Sequence, residues 1–282
     1  MGTSGIYNGP KGTNPLVPDW YQEEENEGGN GGEKENDEND GKEENDENGS
    51  NNKDKLIPIG SWQGAKTQMS KYASGSSNHL GSVFKSYLKA LGGGKGAAKA
   101  AISGKNSAAS LGKVMNSISS RGFKETLESY KISFASKSLE EVLSNLASII
   151  APDGATKEEA VARKATLDSI EYFYDRIEEE GLDINSLDTV NETLLSDVME
   201  KYFSSYIFEK MLCDLESRIE NYADNSNKAI EIENQIKNYI DGTIKNELGK
   251  VKFLEMDYNS KKSKDFINKV YEDCYNVVEV SI

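Results

Sequence analysis

Gly2, directly behind the initiator methionine of this 282-residue chain, is the residue whose chemistry is hardest to account for as packing. Removing Met1 exposes a glycine amine, the least hindered α-amino group available. Its pKa of about 7.7–8.0 leaves a useful fraction unprotonated and nucleophilic near neutrality. Myristoylation of that amine asks for Ser or Thr at position 6, where Ile6 stands. Downstream come Thr3, Ser4, Gly9, Pro10 and the run Pro15, Leu16, Val17, Pro18, followed by Trp20. Residues 9–20 combine three prolines with three large apolar side chains and show neither helical nor strand periodicity. They form a semi-rigid apolar string of the kind that seats in a groove. Recognition by another protein is the natural use of such a string. The competing reading is a strand or staple on the chain's own bundle, since apolar residues also find home cores.

The other candidates for chemistry fail for want of partners. The single histidine, His79, has no carboxylate in the surrounding segment to orient it and reads as a polar residue at a helix start. A phosphate-binding loop needs Gly, four residues, then Gly-Lys-Ser/Thr between a strand and a helix. Gly104-Lys105 is followed by Asn106 and has Lys99 where the first glycine belongs, while Gly112-Lys113 is followed by Val114. These glycines read as helix punctuation and close packing. Carboxylates such as Glu158/Glu159 and Glu178–Glu180 fall at helix ends or on solvated faces, and the Glu-x-x-His element of a di-iron bundle is absent. Cys213 and Cys274 lie far apart within helical patterns, so buried thiols are expected in place of a disulfide or a zinc site. Tyr172, Phe173 and Tyr174, like the Met/Tyr stripe over 199–211, read as core. The expectation is a non-enzymatic protein with no cofactor or metal of its own.

Charge divides the chain into blocks. Residues 1–20 are neutral, and residues 21–54 carry fourteen Asp/Glu against three Lys among Gly, Asn and Ser, with no aliphatic residue to bury. Such a run is solvated coil, so residues 21–55 read as a disordered acidic tether behind an N-terminal arm. From Leu56 to Lys124 there are ten Lys/Arg and no carboxylate, whereas residues 125–282 hold thirty-three Asp/Glu against eighteen Lys/Arg. The basic block is either an electrostatic footprint for nucleic acid or the positive partner of the acidic segments on both sides of it. Intramolecular neutralisation is the favoured reading, because Trp62, Tyr72, Phe84 and Tyr87 are not interleaved with Arg as on a base-stacking platform. No stretch approaches eighteen apolar residues, and the first twenty have neither a basic start nor an apolar run, so a cytoplasmic protein without a membrane span is expected.

The elements that must carry these residues are helices. Only 36% of the chain is hydrophobic, yet beyond Lys55 the apolar residues recur at helical spacing. The pattern predicts an all-α bundle of five or six main helices over 56–282, preceded by the disordered arm and tether. A helix spans 79–91 and is broken by GGGKG at 92–96; the Ala/Gly/Ser-rich stretch that follows reads as short or loosely packed helices whose small side chains permit close helix approach. Ser138 with Glu141, and Thr156 with Glu159, have the spacing of capping boxes; Pro152-Asp153-Gly154 is a turn, and Gly181 closes a helix. The longest helix is predicted to start near Thr189, with Glu192 again three positions on, and to be wrapped by neighbours because its apolar residues fall on more than one face. Two amphipathic stretches, about 227–256 and 260–279, complete the set.

The N-terminal pattern Gly2-Thr3-Ser4, Gly9-Pro10 and Pro15-Leu16-Val17-Pro18 with Trp20 resembles the QatB family of the bacterial Qat anti-phage defence system. The likeness extends to the segment 72–88, the Ala/Gly/Ser-rich stretch, the turn at Pro152 and the region Ser205–Asp214. The resemblance implies a protein that works beside an ATPase, a TatD-like nuclease and a QueC-like enzyme, as a substrate and not as an enzyme. It implies further that the QueC-like partner uses ATP to couple a 7-deazaguanine precursor, through its carboxylate, to the amine of Gly2. Thr3 and Ser4 would fill the narrow entrance, and Gly9, Pro10, Pro15, Leu16, Val17, Pro18 and Trp20 would hold the terminus in register.

Overall fold

The computed structural model describes residues 62–181 and 191–280. The expected arm over 1–20 and tether over 21–55 lie outside the described residues, as does Thr189. Within the described residues the chain is all-α, without a strand. Ten helices follow in order: α1 (Trp62–Ala73), α2 (Leu80–Leu91), α3 (Gly93–Ala100), α4 (Ile102–Arg121), α5 (Phe123–Ser129), α6 (Leu139–Ile150), α7 (Lys157–Glu179), α8 (Glu192–Tyr222), α9 (Ser226–Leu248) and α10 (Lys261–Val280). Five of them, α4, α7, α8, α9 and α10, run twenty residues or more and make up the main bundle.

Local chemistry sets most of the helix ends. At α6 the Ser138 hydroxyl accepts from the Glu141 amide while the Glu141 carboxylate accepts from the Ser138 amide, and Thr156 and Glu159 repeat the exchange at α7. Each box satisfies two amide groups that the first helical turn leaves without partners. Gly181, at φ +66°, closes α7 by donating its amide to the Glu178 carbonyl. The start of α8 corrects the expectation. Its cap is Asn191, whose Oδ1 accepts from the Thr193 amide at 2.8 Å, and Glu192 is the first helical residue instead of the acid of a capping box. The stretch predicted over 227–256 is also shorter, because α9 stops at Leu248 and a 3₁₀ turn, Phe253–Glu255, follows.

α8 occupies the centre. Sixteen of its residues are buried, from Leu194 to Ile219, and it packs against α1, α4, α7, α9 and α10. A helix apolar on several faces has no solvated side to keep, so its neighbours must enclose it. Aromatic rings fill the contact with the C-terminal region: Phe203 lies 5.0 Å from Tyr271 and 5.8 Å from Phe253, and Tyr206 lies 5.1 Å from Tyr271, measured between ring centroids.

The Gly/Ala/Ser-rich region differs most from its prediction. Gly92 ends α2 in the left-handed conformation, but Gly93 to Gly96 continue into α3 instead of a loop. Residues 102–121 form one continuous helix, with Ala108, Leu111, Val114 and Met115 fully buried. The close approach expected of its small residues is present, but on a continuous helix and without loose packing. A Cβ at Gly104 would lie 2.4 Å from the Tyr206 ring, and one at Gly112 would lie 2.2 Å from the Tyr258 ring. At Gly94 of α3 it would lie 2.1 Å from the Asn276 side chain on α10.

These contacts predict opposite outcomes for one substitution at two sites. Gly104→Ala should destabilise the fold by about 1–3 kcal/mol through overpacking against a ring that cannot retreat. Gly64→Ala, in the first turn of α1 with nothing within 4 Å of the added carbon, should stabilise by about 0.4–1 kcal/mol. Urea unfolding of the two variants beside the parent chain measures both.

Candidate functional site

Gly2, Thr3, Ser4, Gly9, Pro10, Pro15, Leu16, Val17, Pro18 and Trp20 all lie outside the described residues. His79 is exposed and precedes α2 as its cap residue, its side chain making no capping bond. Gly104-Lys105 and Gly112-Lys113 both sit inside α4, a helix, as their failed phosphate-loop spacing implies. Cys274 is buried, and burial pushes its thiol well up. Cys213 departs from expectation: it is exposed, on the last third of α8, where Lys210, Asp214 and Arg218 open a polar face.

The polar chemistry of the helical domain centres on Glu158, in the first turn of α7. One carboxylate oxygen accepts from the Ser103 amide at 2.8 Å. The other accepts from the Gly104 amide at 2.9 Å and from the Tyr206 hydroxyl at 2.8 Å. The residue preceding α4 is Ala101, which has no side chain able to cap it, so a carboxylate from α7 satisfies the exposed amides and meets the positive end of the helix dipole. Tyr202 donates to the Gly104 carbonyl at 2.8 Å. Lys105 bridges α4 to α10 through Asn268 at 3.1 Å, and burial lowers its pKa against the opposing pull of Glu158. A second carboxylate, Asp214, accepts from Tyr87 at 2.9 Å and from Lys210 at 2.6 Å, tying α2 to α8.

Burial raises the phenols of Tyr87, Tyr202, Tyr206, Tyr271 and Tyr275. They therefore stay protonated across the physiological range, and Tyr87, Tyr202 and Tyr206 act as hydrogen-bond donors, not as nucleophiles. The network holds helices in register. Sequence reasoning paired Glu158 with Glu159 at a helix start; Glu159 keeps that local role, while the cross-helix role of Glu158 has no local signal because its partners are more than forty residues away.

The two charge blocks meet sparingly. Lys71, Lys85, Lys89, Lys99, Lys113 and Arg121 of the basic block are exposed and form no ion pair with another described residue. The acidic half pairs largely within itself, as in Lys164 with Glu209 at 2.8 Å and Lys201 with Asp241 at 3.4 Å. Beside the latter, a cleft between α8 and α9 includes Glu200, whose carboxyl is raised by burial and then by Asp197, with Lys245 opposing. Among the described residues no three His, Cys, Asp or Glu side chains group as metal ligands, and no helix is long and apolar enough to cross a membrane.

The family model for the Qat anti-phage system associated protein QatB matches residues 92–278, two thirds of the chain. The chain belongs to the QatB family. The match opens at the left-handed Gly92 and runs through α3 to α10, so it covers the central helix, the glycine contacts of α3 and α4 and both halves of the Glu158 network. This QatB-family chain is thus a component of an anti-phage defence system. No curated protein and no solved structure matches it.

Two outcomes follow from the network and the cleft. Glu158→Ala should cost about 2–4 kcal/mol, because it strands two amides and a buried hydroxyl at once. Glu158→Gln should recover part of that loss through its amide oxygen, as read by denaturant unfolding. For Glu200 the sign runs the other way. A carboxyl raised on folding favours the native state below its unfolded pKa, and that contribution is lost as pH climbs through the folded value. Glu200→Gln should therefore raise Tm by about 1 °C at pH 7 and leave it unchanged below pH 4, in paired thermal melts.

Proposed function

We propose that this QatB-family chain is the modified partner, not the catalyst, within its defence system. Gly2 is the acceptor, and a QueC-like enzyme supplies the chemistry. The partner spends ATP to activate the carboxylate of a 7-deazaguanine precursor. The unprotonated Gly2 amine then attacks the activated carbonyl, an amide bond forms, the activating group leaves, and the amine loses its proton. The chain needs no cofactor of its own for this role. The observation that carries the reading is the terminus itself: an unhindered glycine amine followed by Thr3-Ser4 and a proline-braced apolar string, on a chain whose body belongs to the QatB family. Thr3 and Ser4 are small enough for a narrow entrance, while Leu16, Val17 and Trp20 anchor the string, with Gly9, Pro10, Pro15 and Pro18 fixing its path. The helical domain serves as the body of the complex, where the system's ATPase and TatD-like nuclease are the further partners. The reading places the protein in the cytoplasm, where ATP and the precursor are available.

A second reading, a nucleic-acid adaptor, draws support from the exposed lysines of α1 to α4 that have no described counter-ion. Binding of that kind gains from counter-ion release and fades steeply with salt.

Intact-mass measurement of the protein purified with its neighbouring gene products tests the first reading. A mass increase on the N-terminal peptide is expected, lost in Gly2→Val, whose β-branched side chain crowds the amine. An unmodified Gly2 under defence-competent conditions would overturn it. Leu16→Ser with Trp20→Ser should weaken binding to the QueC-like enzyme by about 2–4 kcal/mol, measured by titration calorimetry; unchanged affinity would place the string on its own bundle. For the adaptor reading, a DNA titration at low and moderate salt should show binding that salt abolishes, and none at low salt removes it.

A further inference from the structure

One cleft of the helical domain has no part in the modification proposed above. It has a volume of about 430 Å³, a size typical of small-molecule sites, and lies between the C-terminal half of α4 and the segment 255–259. Asn116 builds its floor, donating both hydrogens of its side-chain amide to the carbonyls of Leu254, at 2.7 Å, and Met256, at 3.3 Å. Tyr258 completes the wall by packing against Gly112, where no side chain could fit beside its ring.

Counting which hydrogen-bonding groups in this cleft are already used identifies what it lacks. Of its two acids, Glu255 accepts from Lys252 at 2.5 Å, and Asp257 accepts from the Asn259 amide at 3.0 Å. The hydroxyls of Ser120 and Ser129 donate to backbone carbonyls of their own segments. What remains unused is donor capacity. Lys113 and Arg121 are exposed on α4 and form no ion pair with another described residue. The Tyr258 hydroxyl is buried, in a residue only 5% exposed, and has no hydrogen-bond partner. A buried hydroxyl without an acceptor is costly to maintain, and such groups call for an explanation. With Glu255 neutralised by Lys252 and Asp257 left as one acid without a counter-ion, two cations and one buried donor keep the cleft net positive, and its excess of charge and donors calls for an anion.

The spacing of the cations selects its size. Lys113 and Arg121 are eight residues apart, about 12 Å along a helix rising 1.5 Å per residue. A single phosphate reaches one of them well; an extended anion lets both flexible stems close on it. We propose that this cleft binds a diphosphate group, free or esterified to a nucleoside. Arg121 takes one phosphate through its planar fork, Lys113 takes the other as a point charge, and Tyr258 donates from the wall.

Calorimetric titration of the full chain at low salt with pyrophosphate, ADP and inorganic phosphate tests the site. Saturable binding of pyrophosphate or ADP is expected, at least tenfold tighter than that of phosphate; tighter binding of ADP assigns the esterified form, and tighter binding of pyrophosphate the free one. Lys113→Ala with Arg121→Ala should weaken that binding at least tenfold without shifting Tm, since both residues are exposed. Tyr258→Phe should weaken it severalfold while leaving the unliganded protein as stable or more so, a pairing that mere packing damage would not produce. Lys85→Ala with Lys89→Ala, exposed on α2, should change nothing. Absence of saturable binding by either diphosphate would overturn the proposal. So would phosphate binding as tightly, or the α2 pair costing as much as the α4 pair.

Discussion

The domain depends on one steric exchange: thin backbone on α3 and α4 accepts bulk from α8, α10 and the segment before α10. Gly104 lies under Tyr206, Gly112 under Tyr258, and Gly94 against Asn276. Each glycine lets a ring or amide approach to a distance that a single methyl group would forbid. Because interiors pack at crystal-like density, the rings cannot yield independently of one another. Tyr206 is held by Tyr271, which is held by Phe203, which rests on Phe253. Aromatic bulk therefore runs from the central helix to the C-terminal region, and the glycine-bearing helices close over it.

Polar groups then fix what packing leaves free to slide. Hydrophobic contact is non-directional, so parallel helices could shift along each other at small cost. Glu158 removes that freedom for α4, α7 and α8 together, because one carboxylate holds two amides and a phenol. Asp214 does the same for α2 and α8. In both cases the carboxylate comes from the acid-rich part of the chain and holds a partner from the block without acids, Ser103 and Gly104 in one case and Tyr87 in the other. The two blocks thus meet at two half-buried points through neutral donors and not through ion pairs, while most of the basic residues face solvent.

Legibility in the sequence follows the range of the interaction. Ser138, Thr156 and Gly181 act within a few residues of themselves, and their positions alone locate helix ends. The central role of α8 is legible for a similar reason, since apolar residues on several faces of one helix need no knowledge of the neighbours. The Gly/Ala/Ser stretch is half legible: its small side chains imply close approach, but whether its helices are short and loose or continuous and pressed against a ring depends on atoms in Tyr206 and Tyr258, more than a hundred residues away. Asn191 displaces Thr189 as the cap because several residues near a helix start can cap it equally well by type. The terminus proposed to carry the function is the converse case. Gly2 and the proline string are legible by composition and resemblance, and the helical domain adds the family to which they are attached. The α4 cleft is invisible in sequence, since its unused donors emerge only once the acids beside them find partners.

The fit of glycine to ring also limits how this domain can diverge. Replacing Gly112 alone drives a carbon into Tyr258, and shrinking Tyr258 alone leaves a void over a bare helix; neither intermediate is as well packed as its neighbours. Passage from one well-packed pair to another requires two changes together, so positions 112 and 258, like 104 and 206, should be inherited as coupled pairs. Among relatives, the two members of each pair are expected to change in concert or not at all, leaving a record of the contact in sequences whose structures have not been seen.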